Sequence, residues 1–384
     1  MAESMIKGGI PTPGPIVLFG SGETSPSGRK IFDAVLRHML PSPGITLLET
    51  PAGFELNSPQ VIGRVADFLS HRLQNYDPRV TVIPARSRTT SFSPDNPEIV
   101  APLLQADMIF MGPGSPTYAV RQLKDSLAWH MLVARHRLGA AVALASAATI
   151  AISAYALPVY EIYKVGEDLH WKEGLDLFGI YGLSLVFVPH WNNTDGGEEL
   201  DTSRCFMGQA RFAPLMDMLP PDLTVLGIDE QTALIMEPEK GICKVVGLGG
   251  VTLIHTGNEH DDAASPEKLD GTGLDGVARL RMGHVHQFQN GDTFPLTRIG
   301  SFRQPETGAG LPPEVWEQAL DAWRFPAVEE INHPPDEVMA LVNEREAARR
   351  EKNWPLADQL RQKISEMGWQ VLDSPNGPQL EPND

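Results

Sequence analysis

Between residues 15 and 255, short β-rich apolar runs alternate with helical patterns, and this alternation restricts the chain to a sheet covered by helices. The runs are Ile16-Val-Leu-Phe-Gly20, Ile45-Thr-Leu-Leu-Glu49, Val80-Thr-Val-Ile83, Met108-Ile-Phe-Met111 and Ala140 to Ala145. Arg29 to Leu40 and Val61 to Leu73 carry apolar residues at helical spacing. Ser58 and Pro59 open the second of these as cap and first-turn residue. A helix is expected from Thr117, after Gly112-Pro-Gly-Ser-Pro116, and another over Ala147 to Tyr155. The pattern predicts an α/β fold, doubly wound around a mostly parallel sheet. Leu183 to Val188 and Leu223 to Ile228 are expected to continue that sheet, and Val245 to Ile254 to form one glycine-interrupted strand. Gln289-Asn-Gly-Asp292 carries the Asn-Gly signal of a hairpin.

Four segments follow from this pass. Residues 1–14 read as a flexible polar leader, 15–300 as the α/β domain, 301–335 as a Pro-containing linker, and 336–384 as a small helical module with a break near Pro355. The 384 residues carry a net charge of −18, which disfavours phosphate-rich partners and anionic membranes. No apolar run is long enough to span a bilayer, and the start lacks an apolar signal core, so a cytoplasmic location is expected. Cys205 and Cys243 are the two cysteines, too few for a disulfide framework or a cysteine zinc site. His284-Val-His286 would place two imidazoles on one strand face, but no metal-ligand spacing supports them. Gly20-Ser-Gly-Glu-Thr-Ser25 lacks the third glycine of a dinucleotide fingerprint. No metal or cofactor is expected.

Val142-Ala-Leu-Ala-Ser146-Ala-Ala-Thr-Ile150 places a serine between a buried strand and a helix. Such a turn exposes the hydroxyl at the carboxyl edge of the sheet and needs small neighbours, here Ala145, Ala147 and Ala148. Leu144 stands where nucleophile elbows usually have glycine.

Three further segments resemble a known family. Phe110-Met-Gly112-Pro-Gly114-Ser-Pro-Thr-Tyr-Ala-Val-Arg121 is similar to the glycine loop and following helix of the dipeptidase E and cyanophycinase family of serine peptidases. Val188-Pro-His190-Trp-Asn-Asn resembles the segment carrying its catalytic histidine, and Gly227-Ile-Asp-Glu230-Gln-Thr-Ala233 its Gly-Ile-Asp-Glu motif. The resemblance implies a class I glutamine amidotransferase-like fold and a Ser146–His190–Glu230 triad, with Glu161 as the alternative acid. It implies an oxyanion hole from the amides of Gly114 and Ala147, and Glu23 in the same cleft. Arg121, Arg204 and Arg211 are candidates to bind substrate. The expected activity is a serine-type peptidase or amidohydrolase acting through an acyl-enzyme. The alternative is an inactive relative that binds a ligand or tRNA.

Glu344-Arg-Glu-Ala-Ala-Arg349 through Trp354-Pro-Leu-Ala-Asp358 to Gly368-Trp-Gln-Val-Leu-Asp373 resembles the C-terminal module of cysteinyl-tRNA synthetases. The resemblance implies tRNA contacts at Arg349, Trp354, Asp358 and Asp373. Six basic against ten acidic residues from 336 to 384, a net of −4, predict that any such contact is weak. Expected partners are therefore a peptide or small amide substrate, a weak tRNA contact and a second copy of the chain, with no membrane.

Overall fold

Short strands buried along nearly their whole length set the centre of the molecule. The computed structural model describes residues 11–256, 282–325, 336–374 and 377–383. Its strands are, in chain order, β1 (Ile16–Phe19), β2 (Gly44–Leu48), β3 (Arg79–Ile83), β4 (Met108–Met111), β5 (Ala141–Ala145), β6 (Tyr155–Ala156) and β7 (Lys172–Glu173). They continue with β8 (Leu185–Val188), β9 (Thr224–Ile228), β10 (Thr232–Glu237), β11 (Ile242–Gly247), β12 (Gly250–Thr256), β13 (Met282–Gln289), β14 (Thr293–Pro295), β15 (Trp369–Ser374) and β16 (Gly377–Pro382).

The main sheet has eight strands in the order β14-β11-β10-β1-β5-β4-β2-β3. From β1 to β3 every pairing is parallel, whereas β10, β11 and β14 add an antiparallel edge. Side chains alternate between two faces, as the strand period requires. Val17, Phe19, Ile45, Leu47, Met108, Phe110, Ala143 and Ala145 face the helices Pro26–Leu36 and Ser58–Arg72. Ile16, Leu18, Leu48, Ile109, Met111, Val142 and Leu144 face the other side, with helices Pro116–Leu123 and Leu127–Arg137. The expected fold class is therefore present: an α/β sheet, parallel at its centre, covered on both faces.

Several local expectations are corrected. Leu185–Val188 and Thr224–Ile228 do not extend the main sheet. They form a second sheet in the order β13-β12-β9-β8. An apolar run has the same appearance whichever sheet it joins; the assignment is made where the chain crosses between sheets. There Gly20 meets the turn after β9 so closely that a Cβ would lie 2.0 Å from the Asp229 carbonyl oxygen. The stretch from Val245 to Ile254 is two strands in different sheets, because Gly247, at φ 150°, breaks it and Gly250 N–H donates to Asp229 Oδ2 at 2.8 Å. The Asn-Gly turn likewise links β13 to β14, which lie in different sheets, so it is not a hairpin. The helix after Ser146 is shorter than expected, Ala147–Ala151.

The chain divides into two compact units, Met1–Pro326 and Ala327–Asp384. Within the stretch expected as a linker, Pro313–Arg324 is a helix whose Val315 and Ala319 are buried in the core of the first unit. Arg137 ties down the chain before it, donating to the Glu306 carbonyl and, at 2.6 Å, to that of Ala309. In the second unit, Asp336–Arg350 and Trp354–Glu366 form the expected pair of helices, with Pro355 in the first turn of the latter. An antiparallel β15–β16 pair, absent from the sequence-based expectation, completes a small core of Val338, Val342, Ile364, Trp369 and Val371. Most of the leader (residues 1–10), residues 257–281 and 326–335, and the side chains of His284 and Asp373 lie outside the described residues.

Candidate active site

Ser146 stands between β5 and helix Ala147–Ala151 with φ 51° and ψ −109°, a backbone state costly for a residue with a side chain. The surroundings hold it there. Thr149 Oγ1 donates toward the carbonyls of Phe19, at 3.0 Å, and Leu144, at 2.9 Å, so the helix is pinned to the strands it leaves. Ala145 and Ala147 are buried and leave no bulk beside the hydroxyl. Leu144, the departure from the usual glycine, is buried in the core with Leu18 and Met111.

His190 follows β8 and Pro189. It too has a positive φ of 51°, and its amide donates to the Gly20 carbonyl at 3.2 Å. The ring Nε2 lies 2.9 Å from Ser146 Oγ, and Nδ1 lies 2.8 Å from Glu230 Oε1. With the proton on Nδ1, the ring donates to the carboxylate and Nε2 accepts from the serine hydroxyl. Glu230 sits in the turn between β9 and β10. Asn193 Nδ2 donates to the same Oε1 at 2.9 Å, and the Glu230 amide donates to Asn192 Oδ1 at 2.8 Å. The hydrogen bond from His190, aided by Asn193, holds the Glu230 carboxyl below its ordinary range, although partial burial opposes this. Asn192 and Asn193 were not singled out from the sequence. Their adjacency to His190 was the available signal, since a carboxylate orienting a histidine needs donors of its own.

Gly114, at φ 146°, lies against the Thr50–Ala52 turn, where a Cβ would be 2.0 Å from the Pro51 carbonyl oxygen. Only glycine fits this approach. Ser115 N–H donates to the same carbonyl at 2.9 Å, and Ser115 caps helix Pro116–Leu123.

The other candidates separate. Glu161 is not brought to His190: its Oε1 accepts from Thr117 Oγ1, and it lies in the wide helical turn Glu161–Val165. Arg121 lines a cleft of about 560 Å³ together with Phe54, Ser115, Thr117, Tyr118 and Glu161. Arg204 does not line it; its guanidinium lies 4.1 Å over the Trp191 ring and donates to the Trp191 carbonyl at 3.2 Å. Burial pushes its pKa down. Arg211 donates to the Met207 carbonyl at 3.1 Å and approaches the Tyr163 ring. Burial raises the Glu23 carboxyl, which also feels the charge of His190. Cys205 is no rival nucleophile, because burial pushes its thiol up to about 12. In the second unit Trp354 is 56% exposed and Asp358 is exposed one turn later, while Arg349 lies 3.7 Å from Glu346. Among the described residues no helix is long and apolar enough to cross a membrane.

Comparison with known proteins gives two kinds of similarity. No protein-family model matches the chain. A peptidase from an acI-B1 Actinobacterium superposes with a TM-score of 0.54 at 20% identity, covering 74% of this chain and 98% of that one. A Peptidase E protein from Listeria monocytogenes EGD-e gives a TM-score of 0.43 at 16% identity, covering 62% of this chain and all of that one. Curated sequences give a second, shorter similarity. A cysteine–tRNA ligase of Chlamydia felis is 48% identical over 61 residues, or 16% of this chain and 12% of the ligase. One from Burkholderia lata is 36% identical over 83 residues, 19% of this chain and 17% of the ligase. The chain thus spans less than a fifth of these curated relatives. It shares its fold with the Actinobacterium peptidase and carries a short segment similar to cysteine–tRNA ligases.

Proposed function

We propose that this protein is a serine-type peptidase or amidohydrolase in which Ser146, His190 and Glu230 form the catalytic triad. The observation that carries this reading is the continuous line from Ser146 Oγ through both ring nitrogens of His190 to Glu230, set on a strained strand-to-helix turn. A serine hydroxyl is a weak nucleophile and needs a base at this distance. His190 Nε2 takes the hydroxyl proton as Oγ attacks the carbonyl carbon of a peptide bond. Glu230, kept ionised by its two donors, fixes the ring tautomer and stabilises the imidazolium. The amides of Gly114 and Ala147 are assigned to the oxyanion. Collapse of the tetrahedral adduct breaks the C–N bond, and the imidazolium returns its proton to the leaving amine. Water then hydrolyses the acyl-serine by the same sequence of proton transfers.

The fold shared with the Actinobacterium peptidase supports the substrate class, a peptide or small amide. The test is turnover of a panel of short peptides by the full chain and by Ser146→Ala. Hydrolysis by the former and none by the latter is expected; equal hydrolysis by both would remove the reading.

A tRNA contact through the second unit is the other reading. The segment similar to cysteine–tRNA ligases and the exposed Trp354 favour it. The net charge of −4 over residues 336–384 limits its strength.

A further inference from the structure

Glu161 is the acid that the proposed triad leaves unused. Its Oε1 accepts from Thr117 Oγ1, which lies 3.0 Å from Ser115 Oγ beside Gly114. Its Oε2 is buried and has no hydrogen-bond partner among the described residues. Withdrawing a carboxylate oxygen from water without a donor is costly, and a ligand that brings the donor recovers that cost.

The surroundings fix the sign of such a ligand. Glu161 lines the cleft of about 560 Å³ with Phe54, Tyr118 and Tyr160. Phe54 and Tyr118 have ring centroids 5.2 Å apart, and aromatic faces attract cations. The other charges lining the cleft are engaged or exposed. Arg121 lies 5.1 Å over the Tyr118 ring, Glu173 is held by Lys124 at 2.7 Å, and Lys172 is exposed. Glu161 therefore offers a negative, partly shielded acceptor between aromatic walls.

We propose that this cleft binds a cationic nitrogen group of the substrate, an α-ammonium or a lysine or arginine side chain, on Glu161. The inference rests on the peptidase reading, because it makes the cleft a subsite next to the Gly114 loop. Ser146 and His190 are not among the residues lining it, so the cation belongs to a part of the peptide away from the reacting carbonyl. Binding energy realised there acts on ground and transition state alike and lowers KM rather than raising kcat.

The test separates binding from chemistry. Full-length Ser146→Ala protein is titrated calorimetrically with four matched tripeptide amides: tri-alanine with a free amino terminus, its N-acetyl form, and N-acetyl peptides with a central lysine or a central glutamate. At least one cationic peptide should bind about 10- to 100-fold tighter than the neutral acetylated one, the size of one charge-assisted hydrogen bond. The free-amine and lysine peptides distinguish the two sources of the cation. Adding Glu161→Gln should erase the margin, and Glu161→Lys should pass the preference to the glutamate peptide. Equal affinity for all four, binding of none, or a margin that survives Glu161→Gln would overturn the proposal. Failure of the parent reading looks different: a chain that turns over no peptide but keeps the cation margin lacks the peptidase activity and retains the subsite.

Discussion

His190 and His136 lie in the same unit and differ in almost every physical respect. His190 is 17% exposed, with a partner on each ring nitrogen, and its backbone is held in a positive-φ state. His136 is fully buried in helix Leu127–Arg137, and among the described residues neither ring nitrogen has a partner in ordinary hydrogen-bond geometry. Its ring meets Tyr181 edge-on at 5.8 Å. Burial pushes it down to about 4; the nearby Ala140 backbone partly opposes this, and the charge of Arg137 adds to it. A histidine that exchanges protons needs partners and access, whereas one that fills a core needs to stay neutral. Residue type alone does not tell these apart; the neighbours do.

The sharpest way to break the contrast is to remove the serine or the imidazole at the site. Ser146→Ala or His190→Ala is expected to lower peptide turnover by about 10³- to 10⁶-fold, as when a triad member is deleted. His136→Phe should leave turnover near that of the unmodified chain. Steady-state kinetics on one peptide decides both, and substantial turnover in His190→Ala would erase the distinction.

Glu230→Gln comes next. It removes the charge that orients the ring while keeping the size of the side chain. Turnover should fall by about 10²- to 10⁴-fold with little change in KM. Because the hydrogen bond from His190 keeps the Glu230 carboxyl low, mild acid should not switch activity off through this residue. Glu161→Gln should instead act on KM.

A smaller effect belongs to stability. His136 has a folded-state pKa of about 4 against an ordinary value of 6.5, so the unfolded chain binds the extra proton between these values. Its contribution to stability is fully present above pH 6.5 and is lost as pH falls toward 4. The difference amounts to about 3 kcal/mol. Denaturant midpoints across this window should fall for the unmodified chain and fall less for His136→Phe. Equal slopes would show that the ring is not kept neutral by its surroundings.

The smallest effect is expected in the second unit. A tRNA with a GCA anticodon should bind weakly, and Trp354→Ala should change fluorescence anisotropy only slightly. A tight, anticodon-dependent complex lost in Trp354→Ala would show that an exposed tryptophan outweighs the unfavourable charge.

Much of the candidate site was legible because its parts are local. Ser146, His190 and Glu230 each end an apolar strand, and short motifs mark all three positions. The central parallel sheet was legible for the same reason. What the sequence did not disclose depends on contacts between distant segments. The apolar runs of β9 and β12 look the same in either sheet, and the crossing is set by Gly20, Asp229 and Gly250 meeting in space. Helix Pro313–Arg324 was hidden by its proline-rich flanks, although Val315 and Ala319 bury against the core. Glu161 and Glu230 were both candidates for the third triad position. The Gly-Ile-Asp-Glu match ranks Glu230 first, and the fold sets Glu161 on Thr117 and Glu230 on His190.

The most direct measurement is reaction with a fluorophosphonate probe at neutral pH, followed by mass-spectrometric mapping of the modified residue. Ser146 should carry the label in the unmodified chain and in His136→Phe, and lose it in His190→Ala. No label on Ser146, or equal labelling after removal of His190, would contradict the activation of this serine by that imidazole.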